Sequence, residues 1–215
     1  MDYLDDLNTA QRDAVVNTEG PSMVIAGAGS GKTRVLTYRI AHLINKGIDP
    51  FRILSLTFTN KAAREMKERI ANIVGPSEAR NIWMGTFHSI FARILRVESE
   101  KLNYTSNFSI YDTQDSRNLI KTIIKEMGLD DKLYKPAFVQ NRISAAKNNL
   151  LSPKAYRDHP EIMSDDEVSG RPKLVEIYVE YNKRLFKAGA MDFDDLLYKT
   201  NVLLRDFPEI GRAHV

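Results

Sequence analysis

The sequence predicts an α/β fold, in which a parallel sheet with crossover helices is followed by an all-helical subdomain. Short apolar segments, each followed by a helical pattern, recur in the first half of the chain at 22–28, 53–59, 82–87 and 108–112. This alternation is typical of parallel strands that are joined by helices. After about residue 112 the strand-like segments stop while amphipathic helical segments continue, which indicates the second subdomain.

The predicted helices follow from the spacing of apolar residues and from the residues that end each pattern. Apolar side chains from Lys32 to Asn45 repeat near the 3.6-residue period of a helix, and Gly47 ends that pattern. A second helix is expected from about Lys61 to Val74. Later helices are predicted at 113–127, 136–148, 152–158 and 171–188. The acidic stretch between residues 159 and 172 predicts a loop.

Composition and charge exclude several classes of protein. The 215 residues contain 43% apolar side chains, which suits a folded globular chain. Apolar runs are far shorter than the ~20 residues that cross a bilayer, and the acidic N-terminus is unlike a secretory signal, so we expect a cytoplasmic protein without membrane partners. The lack of cysteine excludes disulfides and thiolate zinc sites. A net charge of +3 does not by itself predict nucleic-acid binding.

A glycine-rich segment between the first predicted strand and the following helix is a candidate phosphate-binding loop. It comprises Ala26, Gly27, Ala28, Gly29, Ser30, Gly31, Lys32 and Thr33. Glycines let backbone N–H groups turn toward phosphate oxygens, and the helix presents the positive end of its dipole to the same anion. We expect the Lys32 ammonium to reach the β- and γ-phosphates and the Thr33 hydroxyl to bind a magnesium ion.

Two further residues bear on this prediction. The pattern G-x-x-x-x-G-K-[ST] has alanine at its first position, Ala26, where a small side chain can end the strand. Upstream, Gln11 lies on a short predicted helix, from which its amide could pair with the edge of an adenine. The simpler alternatives are a solvated lysine on a glycine-rich turn and an amide on a helix surface. The position of the loop between a strand and a helix favours nucleotide binding.

Five motifs resemble, in order and spacing, those of the UvrD, Rep and PcrA helicases of superfamily 1. They are L-N-x-x-Q at 7–11, AGAGSGKTRVL at 26–36, TFTNKAAREM at 57–66, GTFHS at 85–89 and MDFDDLL at 191–197. The resemblance extends to about Ile210. It implies the first part of an ATP-dependent 3′-to-5′ DNA helicase that unwinds DNA in repair or replication.

The same resemblance implies a domain organisation and a set of partners. Residues 1–111 would be a partial RecA-like P-loop NTPase lobe, and residues 112–210 would be its helical inserted subdomain. Residues 211–215 continue no pattern and are predicted to be an added tail. Single-stranded DNA and duplex junctions would be the partners of the protein.

Roles at the nucleotide site are carried over by motif. The resemblance implies that Gln11 contacts the adenine of ATP and that the loop from Ala26 to Thr33 holds the phosphates with Mg²⁺. Arg34 would stack its guanidinium on the adenine ring, which suits a flat cation. Lys32 and Thr33 would be the residues that act in hydrolysis.

Polar and aromatic residues follow the second and third predicted strands, at the edge where parallel sheets bind ligands. These residues are Phe58, Thr59 and Asn60 after one strand, and Thr86, Phe87 and His88 at the end of the other. Hydroxyls and amides suit sugar-phosphate contacts, and aromatic rings stack on bases. On residue type alone, both phenylalanines are more typical of a core. The resemblance implies DNA contacts for all of these residues except Phe87.

A cluster of three aspartates surrounds Phe193 in the segment from Asp192 to Asp195. Crowded carboxylates are compatible with a metal site, whereas an aspartate before an apolar run is typical of a helix N-cap, which we favour. The resemblance places this motif beside the DNA. It makes Phe193 a candidate base contact.

The resemblance also implies parts of a catalytic site that these residues do not contain. An acidic D-E-x-Q-D strand would complete the ATPase site, and that sequence does not occur in residues 1–215. We therefore expect this chain alone to bind nucleotide weakly and not to hydrolyse it. The same strand would lie inside the sheet, so we expect open strand edges that favour self-association.

Three other functions fit parts of the pattern. A helicase-nuclease of the AddA or RecB type has a similar first lobe. A small-molecule kinase shares the phosphate-binding loop, but it gives no reason for the motifs at 57–66 and 85–89. A nucleic-acid-binding module without enzymatic activity would share those two motifs.

Overall fold

The computed structural model describes residues 3–213 of the chain and divides them into two compact units. The first unit contains the residues up to Ile90 and those from Pro208 onward, and the second contains Phe91–Phe207. Each unit has a parallel two-stranded sheet and its own apolar core. None of the helices in the described residues combines the length and hydrophobicity that a membrane-spanning segment requires.

The first unit begins with a 3₁₀ turn at Tyr3–Asp6. Its further elements are α1 (Thr9–Val16), α2 (Lys32–Asn45), a 3₁₀ turn (Pro50–Arg52), β1 (Leu54–Thr57), α3 (Asn60–Val74), α4 (Pro76–Asn81), β2 (Trp83–Thr86) and α5 (Phe87–Val97). The division between the units falls within α5.

The second unit begins with the rest of α5 and a 3₁₀ turn at Ser99–Leu102. Its further elements are β3 (Ser109–Tyr111), α6 (Thr113–Glu126), α7 (Pro136–Asn148), α8 (Pro153–Arg157), α9 (Pro160–Val168), α10 (Leu174–Lys187), β4 (Ala190–Asp192) and α11 (Phe193–Asp206). The last helix, α12 (Pro208–Ala213), belongs to the first unit.

In the first unit, β1 and β2 pair in parallel and end at the same level. The register places Leu54 opposite Trp83 and Thr57 opposite Thr86. Apolar side chains from α2, α3 and α4, with the residues directly before β1 and β2, form a buried core, which includes Ile40, Ile53, Met66, Ile70 and Ile82. The crossover α3 thus covers the sheet, as the alternating sequence pattern predicts.

The second unit is built around a larger apolar cluster. Side chains from α6, α7 and α10 supply most of it, including Ile120, Ile123, Val139, Ile177 and Tyr178. Each fully buried side chain of this kind contributes about 1.5–3 kcal/mol of transfer free energy. The pair of β3 and β4 lies beside this cluster, with Ser109 opposite Ala190 and Tyr111 opposite Asp192.

The predicted strand at 22–28 is wrong. Residues 21–27 have no regular structure, and Met23 and Ile25 are 83% and 87% exposed. A strand is held by hydrogen bonds to a neighbouring strand. Within the described residues, the strands form only the two pairs given above, and neither includes this segment.

Other predicted elements are confirmed or revised. The segments at 53–59 and 82–87 contain β1 and β2, and the segment at 108–112 contains β3, which pairs with β4 in the second unit. The predicted loop at 159–172 is wrong, because it contains α9, which starts with Pro160 in its first turn. Asp166 of this helix is buried, with Arg142 Nη2 2.6 Å from one of its carboxylate oxygens.

The compact units do not follow the predicted division of the chain. The sequence placed a boundary after residue 111, whereas the unit boundary falls between residues 90 and 91 and assigns β3 to the second unit. The division into a lobe at 1–111 and an insertion at 112–210 therefore stays a prediction. Of the predicted tail at 211–215, the first three residues belong to α12, and residues 214–215 lie outside the described residues.

Candidate functional site

The segment from Ala26 to Gly31 forms a bent loop that delivers the chain into α2. Gly29 and Gly31 adopt φ values of +77° and +86°, and Gly31 is the N-cap of the helix. The Ser30 hydroxyl donates to the Gly27 carbonyl at 2.7 Å and tightens the bend. A glycine bend directly before a 14-residue helix is the geometry that binds phosphate through backbone N–H groups and the helix dipole.

The Lys32 side chain reaches back over this loop. Its ammonium donates to the carbonyl oxygens of Ala26 and Gly27, at 3.0 and 2.6 Å. The amine therefore lies at the loop on which the phosphates were predicted to bind. Thr33 follows on the first turn of α2 and is exposed. A lysine and a hydroxyl next to a helix start fit the binding of a phosphate together with a magnesium ion.

Gln11 connects α1 to the loop. Its backbone N–H donates to the Asn8 side chain at 2.9 Å, and its Oε1 accepts from the Asn8 backbone N–H at 3.3 Å, which forms a capping box. Its Nε2 donates to the Ser30 carbonyl at 3.0 Å. A Cβ placed on Gly31 would lie 2.7 Å from the same Nε2. The structure thus brings Gln11 and the candidate phosphate-binding loop together.

A cavity of about 570 Å³ lies between α1, the 22–26 segment and α2. Such a volume falls within the range of small-molecule sites. Gln11 and Lys32 line it, together with Arg39, which sequence reasoning missed. The Arg39 guanidinium donates to the carbonyls of Ala14 and Asn17 at 2.7 and 2.5 Å, so it fixes the C-terminal end of α1 against α2.

Arg34 lies apart from this cavity. Its guanidinium is 5.5 Å from the centre of the Tyr38 ring and 3.9 Å from the Asp6 carboxylate. Both of these neighbours are themselves joined, since the Tyr38 hydroxyl donates to Asp6 at 3.0 Å. Arg34 instead lines a smaller neighbouring groove of about 320 Å³. Its predicted stacking on an adenine ring stays a prediction.

A second group of predicted residues shares the edge at which β1 and β2 end. We call it the strand-end surface, and it comprises Phe58, Thr59, Asn60, Thr86 and His88. Phe58 is 89% exposed, and its ring centre lies 5.5 Å from that of Phe87. Thr59 accepts from the Ala62 N–H at 3.1 Å and caps α3, so its hydroxyl already has a structural role.

Thr86, like Thr59, belongs to the strand-end surface and also accepts a hydrogen bond at a helix start. Its hydroxyl accepts from the Ser89 N–H at 3.2 Å at the start of α5, while His88 lies half-buried in the same turn. Asn60 is the first residue of α3 and is exposed. The structure therefore collects all five residues of the strand-end surface at one edge of the first unit, as the motif positions predicted.

Phe193 lies in the second unit, at the first position of α11, and is 50% exposed. The N-cap prediction is confirmed, because Asp192 and Asp195 form a capping box at this helix start. The Lys147 ammonium lies 2.7 Å from Asp192 and 3.0 Å from Asp195. Burial lowers the pKa of Lys147, but attraction to Asp195 and Asp192 outweighs it and raises that pKa, so the lysine is charged.

The ion pair removes the basis for the alternative of a metal site in this motif. Two of the three carboxylates there already neutralise a buried ammonium group. Across the described residues, no group of three or more His, Cys, Asp or Glu side chains is arranged to hold a metal ion. Lys147 itself was missed in the sequence, where it is the single lysine of the helix predicted at 136–148 and where a lysine near the end of a helix is typically exposed.

Comparison with known proteins finds, for most of the chain, the family that the sequence motifs resemble. A family model described as the UvrD/REP helicase N-terminal domain matches residues 7–214. ATP-dependent DNA helicase PcrA of Bacillus subtilis is 46% identical over 208 residues, which are 96% of this chain and 27% of that protein. ATP-dependent DNA helicase UvrD1 of Mycobacterium tuberculosis is 46% identical over 215 residues, 98% of this chain and 27% of its own length. The chain thus spans about a quarter of these relatives.

We expect Gly31→Ala to release Gln11 from the loop at 26–31, because the new Cβ would collide with the Gln11 amide. Gly47→Ala is the matched control. Gly47 has the same φ of +86° but no atom within 4 Å of the added Cβ, so it adds only backbone strain, about 1–3 kcal/mol. Hydrogen exchange of loop amides 27–31 should accelerate only in the Gly31 variant. Equal protection of the loop in both variants would contradict the proposed contact.

Proposed function

The chain belongs to the UvrD/REP helicase family, whose N-terminal domain it matches, and on this premise we propose that it binds ATP through the loop at 26–33. The observation that carries the proposal is the bend at Gly29 and Gly31 before α2, with the Lys32 ammonium held over it. We propose further that the whole protein is an ATP-dependent DNA helicase that moves 3′ to 5′ along one strand in DNA repair or replication.

In this proposal, different residues at the loop contact different parts of the nucleotide. The backbone N–H groups of the bend and the start of α2 bind phosphate oxygens, and Lys32 exchanges two carbonyl partners for the β- and γ-phosphates. The Thr33 hydroxyl would hold Mg²⁺, which supplies charge neutralisation at the phosphates. Gln11 contacts the adenine edge, and Arg34 stacks on the ring after leaving Tyr38.

The strand-end surface is proposed to bind single-stranded DNA. Phe58 offers an exposed aromatic face for a base, and base stacking of this kind tolerates any sequence. Thr59, Asn60, Thr86 and His88 would contact sugar and phosphate, since their polar groups surround two helix starts at one sheet edge. Phe193 is proposed as a further base contact, and duplex junctions as a further partner of the whole protein.

The nucleotide proposal is tested with a fluorescent ATP analogue and Mg²⁺. We expect weak binding by the chain, and at least a roughly tenfold loss of affinity in Lys32→Met, because the variant loses a charge-assisted contact worth about 1.5–3 kcal/mol. Lys46→Met at the other end of α2 is the matched control, since it removes the same charge away from the loop. Phosphate release should stay at the level of buffer with or without oligonucleotide. A DNA-stimulated rate would refute the proposed lack of hydrolysis.

The DNA proposal is tested by fluorescence anisotropy with a labelled oligothymidylate. Phe58→Ala should weaken binding by about 1–3 kcal/mol, the value of one base stacked on an aromatic ring. It should leave the slope of affinity against salt unchanged, because no charge is lost. Phe51→Ala removes another exposed phenylalanine of the first unit and should have no effect. Equal affinities of the two variants would rule out Phe58 as a base contact.

The exposed 22–25 segment supports the proposal that the chain self-associates through its incomplete sheet. Met23, Val24 and Ile25 are consecutive exposed apolar residues without regular structure, and exposed apolar stretches of this kind favour association with other chains. Light scattering should show a mass that rises with concentration, and Ile25→Lys should suppress that rise. Val168→Lys, at an equally exposed apolar residue of the second unit, is the control. A constant monomer mass at millimolar concentration would disprove the idea.

A further inference from the structure

The buried ammonium of Lys147 holds the motif that carries Phe193. The Lys147 side chain is 0% exposed and lies at the end of α7, 45 residues before the motif in sequence. Its Nζ contacts Asp192 Oδ2 at 2.7 Å and Asp195 Oδ1 at 3.0 Å. The Lys147 side chain therefore contacts both ends of the four-residue segment from 192 to 195.

Neighbouring groups also form hydrogen bonds with this segment. The Tyr181 hydroxyl donates to Asp192 Oδ2 at 2.8 Å, and its ring centre lies 5.1 Å from the Lys147 ammonium. The Asp195 N–H donates to Asp192 Oδ1 at 2.7 Å within the capping box. Asn148, the next residue of α7, donates to Asp194 at 3.3 Å. All three carboxylates of the motif are thus held by side chains from α7 or α10.

Phe193 is the one member of this segment whose side chain is not acidic, and it is half-exposed at the N-terminus of α11. Because residues 192 and 195 are fixed on either side, the backbone of Phe193 has little freedom. A ring that stacks on a base gains most when its position is set before binding, since less motion is lost on contact.

An ion pair is an unusual choice if stability were the only requirement. Burying charges carries a desolvation penalty, and apolar residues of similar volume are often as stabilising as a buried pair. A buried ammonium, in contrast, keeps both carboxylates within hydrogen-bond distance, because moving either one away leaves charge unpaired in the core. The arrangement around Lys147 therefore suits a positioning role.

We propose that Lys147 is a positioning residue, which fixes the segment from Asp192 to Asp195 so that the Phe193 ring is presented to single-stranded DNA. The presentation to DNA rests on the proposed function, whereas the fixing of the segment stands on the contacts of Lys147 alone. The two parts can therefore be tested separately.

The first test measures the position of the ring without DNA. In a Trp83→Phe/Phe193→Trp background, the single tryptophan reports on position 193. Adding Lys147→Met should at least double the acrylamide quenching constant of this tryptophan and lower its fluorescence anisotropy. An unchanged quenching constant in a variant that circular dichroism shows to be folded would overturn the proposal.

A matched control separates positioning from general loosening of the second unit. Arg142, which is partly exposed, forms another ion pair there with the buried Asp166, at 2.6 Å, and Tyr156 also donates a hydrogen bond to Asp166. Arg142→Met should leave the tryptophan signals unchanged, because this pair does not touch the motif. A response as large as that of Lys147→Met would show a merely structural effect and would also overturn the proposal.

A milder variant covers the case in which Lys147→Met does not fold. Tyr181→Phe keeps the ammonium and removes one hydrogen bond to Asp192, so quenching should rise in the same direction by a smaller factor. An unchanged acrylamide quenching constant in Tyr181→Phe would count against the positioning role as directly as an unchanged constant in Lys147→Met.

The DNA arm uses oligothymidylate, which quenches a tryptophan on which a base stacks. Quenching should appear in the tryptophan background, and Lys147→Met should weaken the affinity by about tenfold, within the range that stacking of one base supplies. If the oligonucleotide does not quench the tryptophan, the proposed DNA contact at position 193 fails, while the acrylamide comparison still decides the positioning role.

Discussion

The start of α2 at Lys32 is the constraint on which the candidate nucleotide site depends. Gly29 and Gly31 occupy left-handed backbone conformations, so the chain can turn sharply and enter the helix within a few residues. The backbone N–H groups at the start of α2 and the Lys32 ammonium therefore lie close together at the loop. The absence of a side chain on Gly31 also leaves room for the Gln11 amide. One residue therefore fixes both the helix start and the approach of α1.

In both units, helix-capping side chains lie where a strand passes into a helix. Thr59 and Thr86 follow or end β1 and β2 and accept hydrogen bonds at the starts of α3 and α5. Asp112, which follows β3, and Asp192, the last residue of β4, do the same at the starts of α6 and α11. A helix start carries unsatisfied N–H groups, which attract anionic ligands as well as capping side chains. The same local rule thus supplies helix stability at all four positions, and at the two neutral caps, Thr59 and Thr86, it leaves a surface without negative charge that suits a phosphate backbone.

Features that depend on neighbours in sequence were predictable, and those that depend on distant partners were not. The helix start at Lys32 and the N-cap at Asp192 follow from short patterns, and the structure contains both. The strand at 22–28 failed because a strand needs a partner that composition does not reveal. The helix around Asp166 was missed because its acidic residues suggested solvent, whereas Arg142 lies 24 residues away. The spacing of residues likewise did not indicate that Lys147 contacts Asp192, which lies 45 residues later in the sequence.

The amide of Gln11 contacts the loop and keeps hydrogen-bonding groups for the base contact that we propose. A glutamine amide has two N–H donors and two carbonyl lone pairs. In the structure one donor is used on Ser30 and one lone pair on the Asn8 N–H, which leaves one of each for a bidentate contact with an adenine edge. A base bound there would hold the amide from the other side and stiffen its bond to the loop. Under the proposed function, a base held by Gln11 would therefore favour the bend of the loop at Gly29 and Gly31.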